Sequence, residues 1–167
     1  MFQNQVYINP AVAVPGDFAS SNPMVYKLSS TGRMVADSAG VKVGQFVVLN
    51  ADGTCTSVPG AAPAGGLSRL GFVHRENNAQ ITVYLDESGY TIQPGQAVAA
   101  FGKGDFFVKA DAITGTPTRG AAIMWDVATG LIDVGATATA TVIDTGFVML
   151  SESATAGSTI IISNNGA

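Results

Sequence analysis

The sequence predicts an all-β protein, a small β-barrel or sandwich with internally similar β units and an extended N-terminal arm. Three observations carry this. Short apolar runs alternate with glycine-bearing turns along most of the chain. Val, Ile, Thr and Phe fill those runs, and these residues suit a pleated, half-buried surface. Apolar residues nowhere recur at helical spacing beside good helix formers over three turns.

Residues 1–23 differ from the rest and predict the arm. Val6-Tyr7-Ile8 is one brief β run among Asn9-Pro10, Val14-Pro15-Gly16 and Asn22-Pro23. Prolines remove ladder donors and forbid a helix here. The apolar residues Phe2, Val6, Tyr7, Ile8, Val12, Val14 and Phe18 are too many for a freely solvated tail. They are the candidate partner-binding residues, laid either on the body or on a neighbouring subunit. The β domain follows as residues 24–167.

Within it, Met24 to Leu28 reads as a strand before the turn at 29–32. Val41 to Leu49 reads as one long strand, and Asp52-Gly53 as a hairpin signal. Residues 59–66 form a Pro/Gly/Ala loop. Leu70 to Val73 is a strand. Ile81, Val83 and Leu85 alternate with Thr82 and Tyr84, the half-buried strand pattern. Val98, Phe101, Phe106, Phe107, Val108, Ile123, Met124 and Trp125 are the expected core, with Gly102-Lys103-Gly104 as a hairpin turn. Strands at 131–134, 139–143, 146–150 and 159–162 complete the domain. A short helix is expected, if anywhere, near 111–114 or 151–156.

Two phrases recur. A glycine, an apolar run and a turn appear at Gly44 to Gly53, Gly95 to Gly104 and Gly120 to Gly130. Gly71-Phe72-Val73 returns as Gly146-Phe147-Val148. Residues 41–86 and 119–163 therefore read as two versions of one β unit.

Bulk composition limits function. Apolar residues make up 47% of the chain and charged residues only 12%, about half the usual charged share. A surface this poor in charge suits cover by partners. The net charge is -4, with no basic run, so no nucleic acid is expected as partner. No apolar run is long enough to span a bilayer as a helix, and acidity does not favour anionic lipid, so no membrane is expected. The first residues lack a signal-peptide pattern, which places synthesis in the cytoplasm of the producing cell. The one cysteine, Cys55, permits no internal disulfide.

Residues for chemistry are sparse. His74 is the single histidine and has no companion ligand, so no metal site is expected and His74 reads as a strand-end surface group. The carboxylates are scattered, and Asp52, Asp86, Asp105 and Asp126 sit in or beside turns, where Asp has a structural use. Gly102-Lys103-Gly104-Asp105 lacks the spacing of a phosphate loop. No catalytic residue, cofactor or metal is assigned. Tyr84, Tyr90 and Trp125 are the aromatics that a sugar-binding face would draw on.

The opening Met1-Phe2-Gln3-Asn4-Gln5-Val6-Tyr7-Ile8-Asn9-Pro10, with Pro15 to Ser20 and Asn22-Pro23, resembles the start of the structural cement proteins encoded by tailed phages of the Pseudomonas-prophage type. The layout of Val43-Gly44-Gln45, Leu70 to Val73, Ile92 to Gly95, Gly120 to Asp126 and Gly146 to Val148 is similar to that of the small β-barrel head decoration proteins. The resemblance implies a non-enzymatic virion protein, made in the host bacterial cytoplasm. It would sit on the outer capsid surface and cement the lattice of the major capsid protein. It also implies self-association, as a homo-trimer or homo-dimer. The alternative reading is a carbohydrate-binding or adhesin-like β module displayed on the virion. A hydrolase built on the scattered acids is a third.

Overall fold

The computed structural model describes residues 13–76, 80–81 and 90–165, the side chains of 80 and 81 excepted. The described residues form fifteen strands and one 3₁₀ turn. The strands are β1 (Val25–Tyr26), β2 (Val35–Ala36), β3 (Val41–Lys42), β4 (Phe46–Leu49), β5 (Thr54–Thr56), β6 (Leu70–Val73), β7 (Gln80–Ile81) and β8 (Tyr90–Ile92). They continue with β9 (Ala100–Lys103), β10 (Asp105–Lys109), β11 (Ala112–Ile113), β12 (Ala122–Asp126), β13 (Ile132–Val134), β14 (Val142–Met149) and β15 (Thr159–Ser163). The all-β class is as the sequence predicts. The expected helical turns at 111–114 and 151–156 are absent. The 3₁₀ turn falls instead at Gly66–Arg69, inside the Pro/Gly/Ala loop. Of the expected 81–85 strand, residues 82–89 lie outside the described residues, as do 77–79.

The strands form three sheets. The first has the order β1-β9-β6-β4-β5-β2 and the second β10-β15-β14-β12-β13-β11, while β3-β8-β7 is a small third sheet. The two large sheets share one topology. Matching β1, β2, β4, β5, β6 and β9 to β10, β11, β12, β13, β14 and β15 maps one order onto the other. It also reproduces the sense of every pair: β2–β5 and β11–β13 are parallel and the rest antiparallel. The phrases at Gly44 and Gly120 and the two Gly-Phe-Val phrases mark this duplication, with β4–β6 and β12–β14 as its corresponding central pairs. The copy at Gly95 to Gly104 falls on β9, the counterpart of β15, and the units run 25–103 and 105–163 rather than 41–86 and 119–163. β3, β7 and β8 are the insertion that makes the first unit longer.

Side-chain alternation explains the layering. On β4, Phe46 and Val48 join one core cluster and Val47 and Leu49 the other. Successive strand residues point to opposite faces, so a continuous apolar run signals a strand buried on both sides. The larger cluster lies between the two duplicated sheets. It contains Phe46, Phe72 and Phe101 from the first, and Phe106, Ile123, Trp125, Phe147 and Ile160 from the second. The smaller cluster, with Val41, Cys55, Val73, Ile92 and Val98, fills the opposite face of the first sheet. Of the expected core, Phe107 alone is only half-buried, because it faces away from the cluster that takes Phe106 and Val108.

Several expected elements differ in detail. The strands expected at 139–143 and 146–150 are one, β14, which runs on through Gly146, and the strand expected over Met24 to Leu28 is only Val25–Tyr26. The run 41–49 is two strands, because Gly44 at φ 74° turns the chain from the third sheet into the first. Gly102-Lys103-Gly104 is not a hairpin turn. β9 runs through Lys103, and Gly104, at φ 150°, passes the chain from the first sheet to the second. A Cβ at Gly104 would fall 2.7 Å from the Phe106 ring, so the crossing is open only to glycine.

Candidate functional site

Of the candidate arm residues, Phe2, Val6, Tyr7, Ile8 and Val12 lie outside the described residues. Val14 and Phe18 are half-buried at the root of the leader, which runs along β10. Gly16 N–H donates to Phe107 O at 2.8 Å, Phe107 N–H to Asp17 O at 2.9 Å, and Ala19 N–H to Asp105 O at 2.9 Å. Phe18 and Phe106 form the bridge between them. The Phe18 ring stacks on the His74 imidazole at 3.8 Å and meets Phe101 edge-on at 5.3 Å.

Residues after β6 grip the same segment. Arg75 N–H donates to Gly16 O at 3.0 Å, and Arg75 Nε pairs with Asp17 Oδ1 at 2.8 Å. His74 Nδ1 lies 2.7 Å from Gly16 O. A carbonyl only accepts, so Nδ1 carries the proton. His74 is thus a half-buried clamp on the leader rather than the surface group the sequence suggests. Backbone approach is close here: a Cβ on Gly16 would lie 2.6 Å from Val43, and one on Gly44 2.9 Å from Pro15. Both glycines hold positive φ, at 96° and 74°. The leader can lie in this place only because two glycines meet.

Asp105 closes the arrangement. It is 3% exposed and accepts hydrogen bonds from Ser20 and Asn22 of the leader and from Ser163 and Asn165 near the C-terminus. Burial pushes its carboxyl up. The hydrogen bonds from Ser163, Ser20, Asn165 and Asn22 outweigh that and hold it below the ordinary 3.8. The folded state therefore favours the carboxylate. The stability this gives is present at neutral pH and is lost as the pH falls below 3.8 through the folded value. Acid titration followed by amide exchange is expected to release Ala19 to Asn22 before the β12–β14 pair; simultaneous release would contradict the latch.

A second feature is apolar and open. Met24, Val25, Tyr26 and Leu28 are exposed, Leu28 by 77%, although β1 is a strand. Leu67 is also exposed, its side chain lying near Gly146 of β14. Lys27 lies across Gly102 and Gly71 to donate to the carbonyls of Leu67 and Ser68. Val58 and Leu131 line a shallow groove elsewhere with Lys42 and Gln45.

Groups of catalytic type are placed otherwise. Cys55 is fully buried. Burial, then Asp37 and Asp52, pushes its thiol from 9.0 to about 11, the opposite of nucleophile activation. A thiol reagent at pH 8 is expected to label it at least about 100-fold more slowly than in urea; equal rates would contradict this environment. No group of three or more metal-ligating side chains occurs among the described residues. Trp125 is fully buried, so it cannot serve an exposed sugar-binding face. Tyr84 lies outside the described residues, and Tyr90 is half-buried with the Arg75 guanidinium 5.8 Å from its ring centre.

The chain matches the family model described as XM1 gp53 minor capsid protein over residues 2–164. It belongs to that minor capsid protein family. A chain from a solved structure, "The capsid of Myoviridae Phage XM1", superposes with a TM-score of 0.67. The identity is 16%, with 99% of this chain and 98% of that chain covered, which shows a shared fold. No curated protein matches the chain. Membership in the minor capsid protein family gives this chain a structural, capsid-associated role and places it in the virion capsid. The Gly16–Gly44 contact, the His74 clamp and the Asp105 latch escape sequence inspection, because each joins residues far apart in the chain. The only sequence signal was the clustering of Gly, Asp and Phe at 16–18.

Proposed function

We propose that this minor capsid protein binds the outer surface of the phage capsid and cements the lattice of the major capsid protein, acting as a homo-trimer or homo-dimer. The observation that carries this reading is how the leader is fixed. A tether must hold at both ends, and its inner end is held here by a backbone ladder to β10, a stacked Phe18 and a four-donor carboxylate. Load on the leader passes into β10, the first strand of the second duplicated sheet. Residues 1–12 precede this anchor, and twelve residues reach at most about 40 Å when extended. Phe2, Val6, Tyr7 and Ile8 are the residues proposed to engage a neighbouring subunit, by adding a strand or filling pockets. The low charge of the chain supports burial within an assembly, and many linked copies turn weak contacts into firm attachment.

The test is co-sedimentation with expanded heads assembled without this protein. The chain lacking residues 1–12 is expected to bind at least about 10-fold more weakly than the full chain. Its melting temperature should be unchanged, since the anchor at 16–22 remains. Equal binding would remove the leader from the attachment.

A further inference from the structure

The two units differ at both edges. Residues 95–98 cover the outer edge of β2 through the Val35–Ala97 bridge, with no counterpart on β11 among the described residues, and the opening strands differ as well. β10, which opens the second unit, carries the leader on its outer edge through the Phe18–Phe106 bridge. Its counterpart β1 opens the first unit and pairs on one side only, with β9. Among the described residues nothing lies on its other edge. That edge can accept a strand. Lys27 N–H donates to Ala100 O at 2.9 Å, one residue beyond the Tyr26–Phe101 pair. The pair is therefore the non-hydrogen-bonded kind, and the N–H and C=O of Tyr26 point outward. Edges are usually kept short, bulged, charged or covered. β1 is a two-residue strand with a bulge between Val25 and Tyr26, yet it is uncovered among the described residues, and Met24, Val25, Tyr26 and Leu28 are exposed.

The charges around the slot limit its occupant. Val25 pairs with Lys103, which is exposed and in no ion pair among the described residues. Lys27 is committed elsewhere, reaching across β9 to the carbonyls of Leu67 and Ser68. A two-fold contact of this edge with its own copy would bring two Lys103 ammonium groups together, a costly arrangement. The filled slot shows a better solution, since its occupant brings Asp17 to Arg75.

Resting on the capsid-binding reading above, we propose that the outer edge of β1 is a vacant strand-acceptor slot. In the assembled capsid it takes an extended, apolar segment of a capsid subunit that carries Asp or Glu. Main-chain bonds to Tyr26 supply the pairing, the exposed Val25 and Leu28 the apolar contact, and Lys103 the charge partner.

The test uses the full chain and expanded heads assembled without it. Tyr26→Pro removes the outward donor while leaving the β9 side intact, and Lys103→Glu reverses the charge. Both are expected to bind heads at least about 10-fold more weakly, and the Lys103→Glu loss should shrink in high salt. Amide exchange of the wild-type chain is the second readout and does not depend on how a variant folds. The Tyr26 amide should become protected on head binding. An unprotected Tyr26 amide in head-bound protein would overturn the slot, while leaving the cementing reading in place. Protection of Tyr26 in the free protein at high concentration, lost on dilution, would make a second copy the occupant and overturn the assignment to a capsid subunit. Protection lost in head-bound chain lacking residues 1–12, compared with the full chain at equal occupancy, would assign the slot to a neighbour's leader, with the same consequence. A wild-type chain that fails to bind heads would sink both readings.

Discussion

Replacing Phe106 with alanine is expected to lower stability by about 3–5 kcal/mol, the range for removing a large aromatic from a packed interior. Phe106 has no exposed surface. Its ring meets Phe72 at 4.7 Å and Phe101 at 5.7 Å from the first sheet, and Phe147 at 6.2 Å from its own. It also meets Phe18 of the leader at 5.6 Å. One side chain thus joins both duplicated units and the leader, and alanine leaves a hole lined by four aromatic rings. Urea denaturation measures the loss directly, and a change below about 1 kcal/mol would contradict this packing. A double-mutant cycle with Phe18→Ala should show coupling of about 1 kcal/mol, because the two rings touch.

Asp105→Ala is expected to cost about 2–4 kcal/mol, since four donors lose their acceptor in a mostly buried place. The loss should be uneven. Ser20 and Asn22 belong to the leader, while Ser163 ends β15. Amide exchange should therefore rise at residues 19–22 by far more than at the centre of β12. Asp105→Asn keeps an acceptor and the side-chain volume, and should fall between wild type and alanine. An alanine variant with wild-type stability and unchanged exchange at 19–22 would show that the carboxylate does not hold the leader.

Much of the fold was legible before any coordinates. The all-β class follows from residue types, and the duplication from Gly-Phe-Val repeated at 71–73 and 146–148, which become β6 and β14. Phe46 to Leu49 was readable as a strand buried on both faces because no polar residue interrupts it. Other features were hidden for definite reasons. Gly44 looks like any glycine in a β run, and its turn depends on Pro15 passing beside it. Gly104 looks like the end of a hairpin, but the strands it joins belong to different sheets. Asp105 reads as a turn residue, because its four partners come from the two ends of the chain. Val25 and Tyr26 read as an ordinary strand, although neither side chain is buried. In each case local sequence sets the backbone tendency, and a distant segment decides what that tendency becomes.

The cementing claim is tested most directly by heating DNA-filled heads that lack this protein, with and without the purified full chain added back, and recording the temperature at which DNA escapes. Cementing requires bound protein to raise that temperature in proportion to occupancy, with the chain lacking residues 1–12 giving less protection at equal total concentration. Heads saturated with the full chain that release DNA at the same temperature as bare heads would contradict the account.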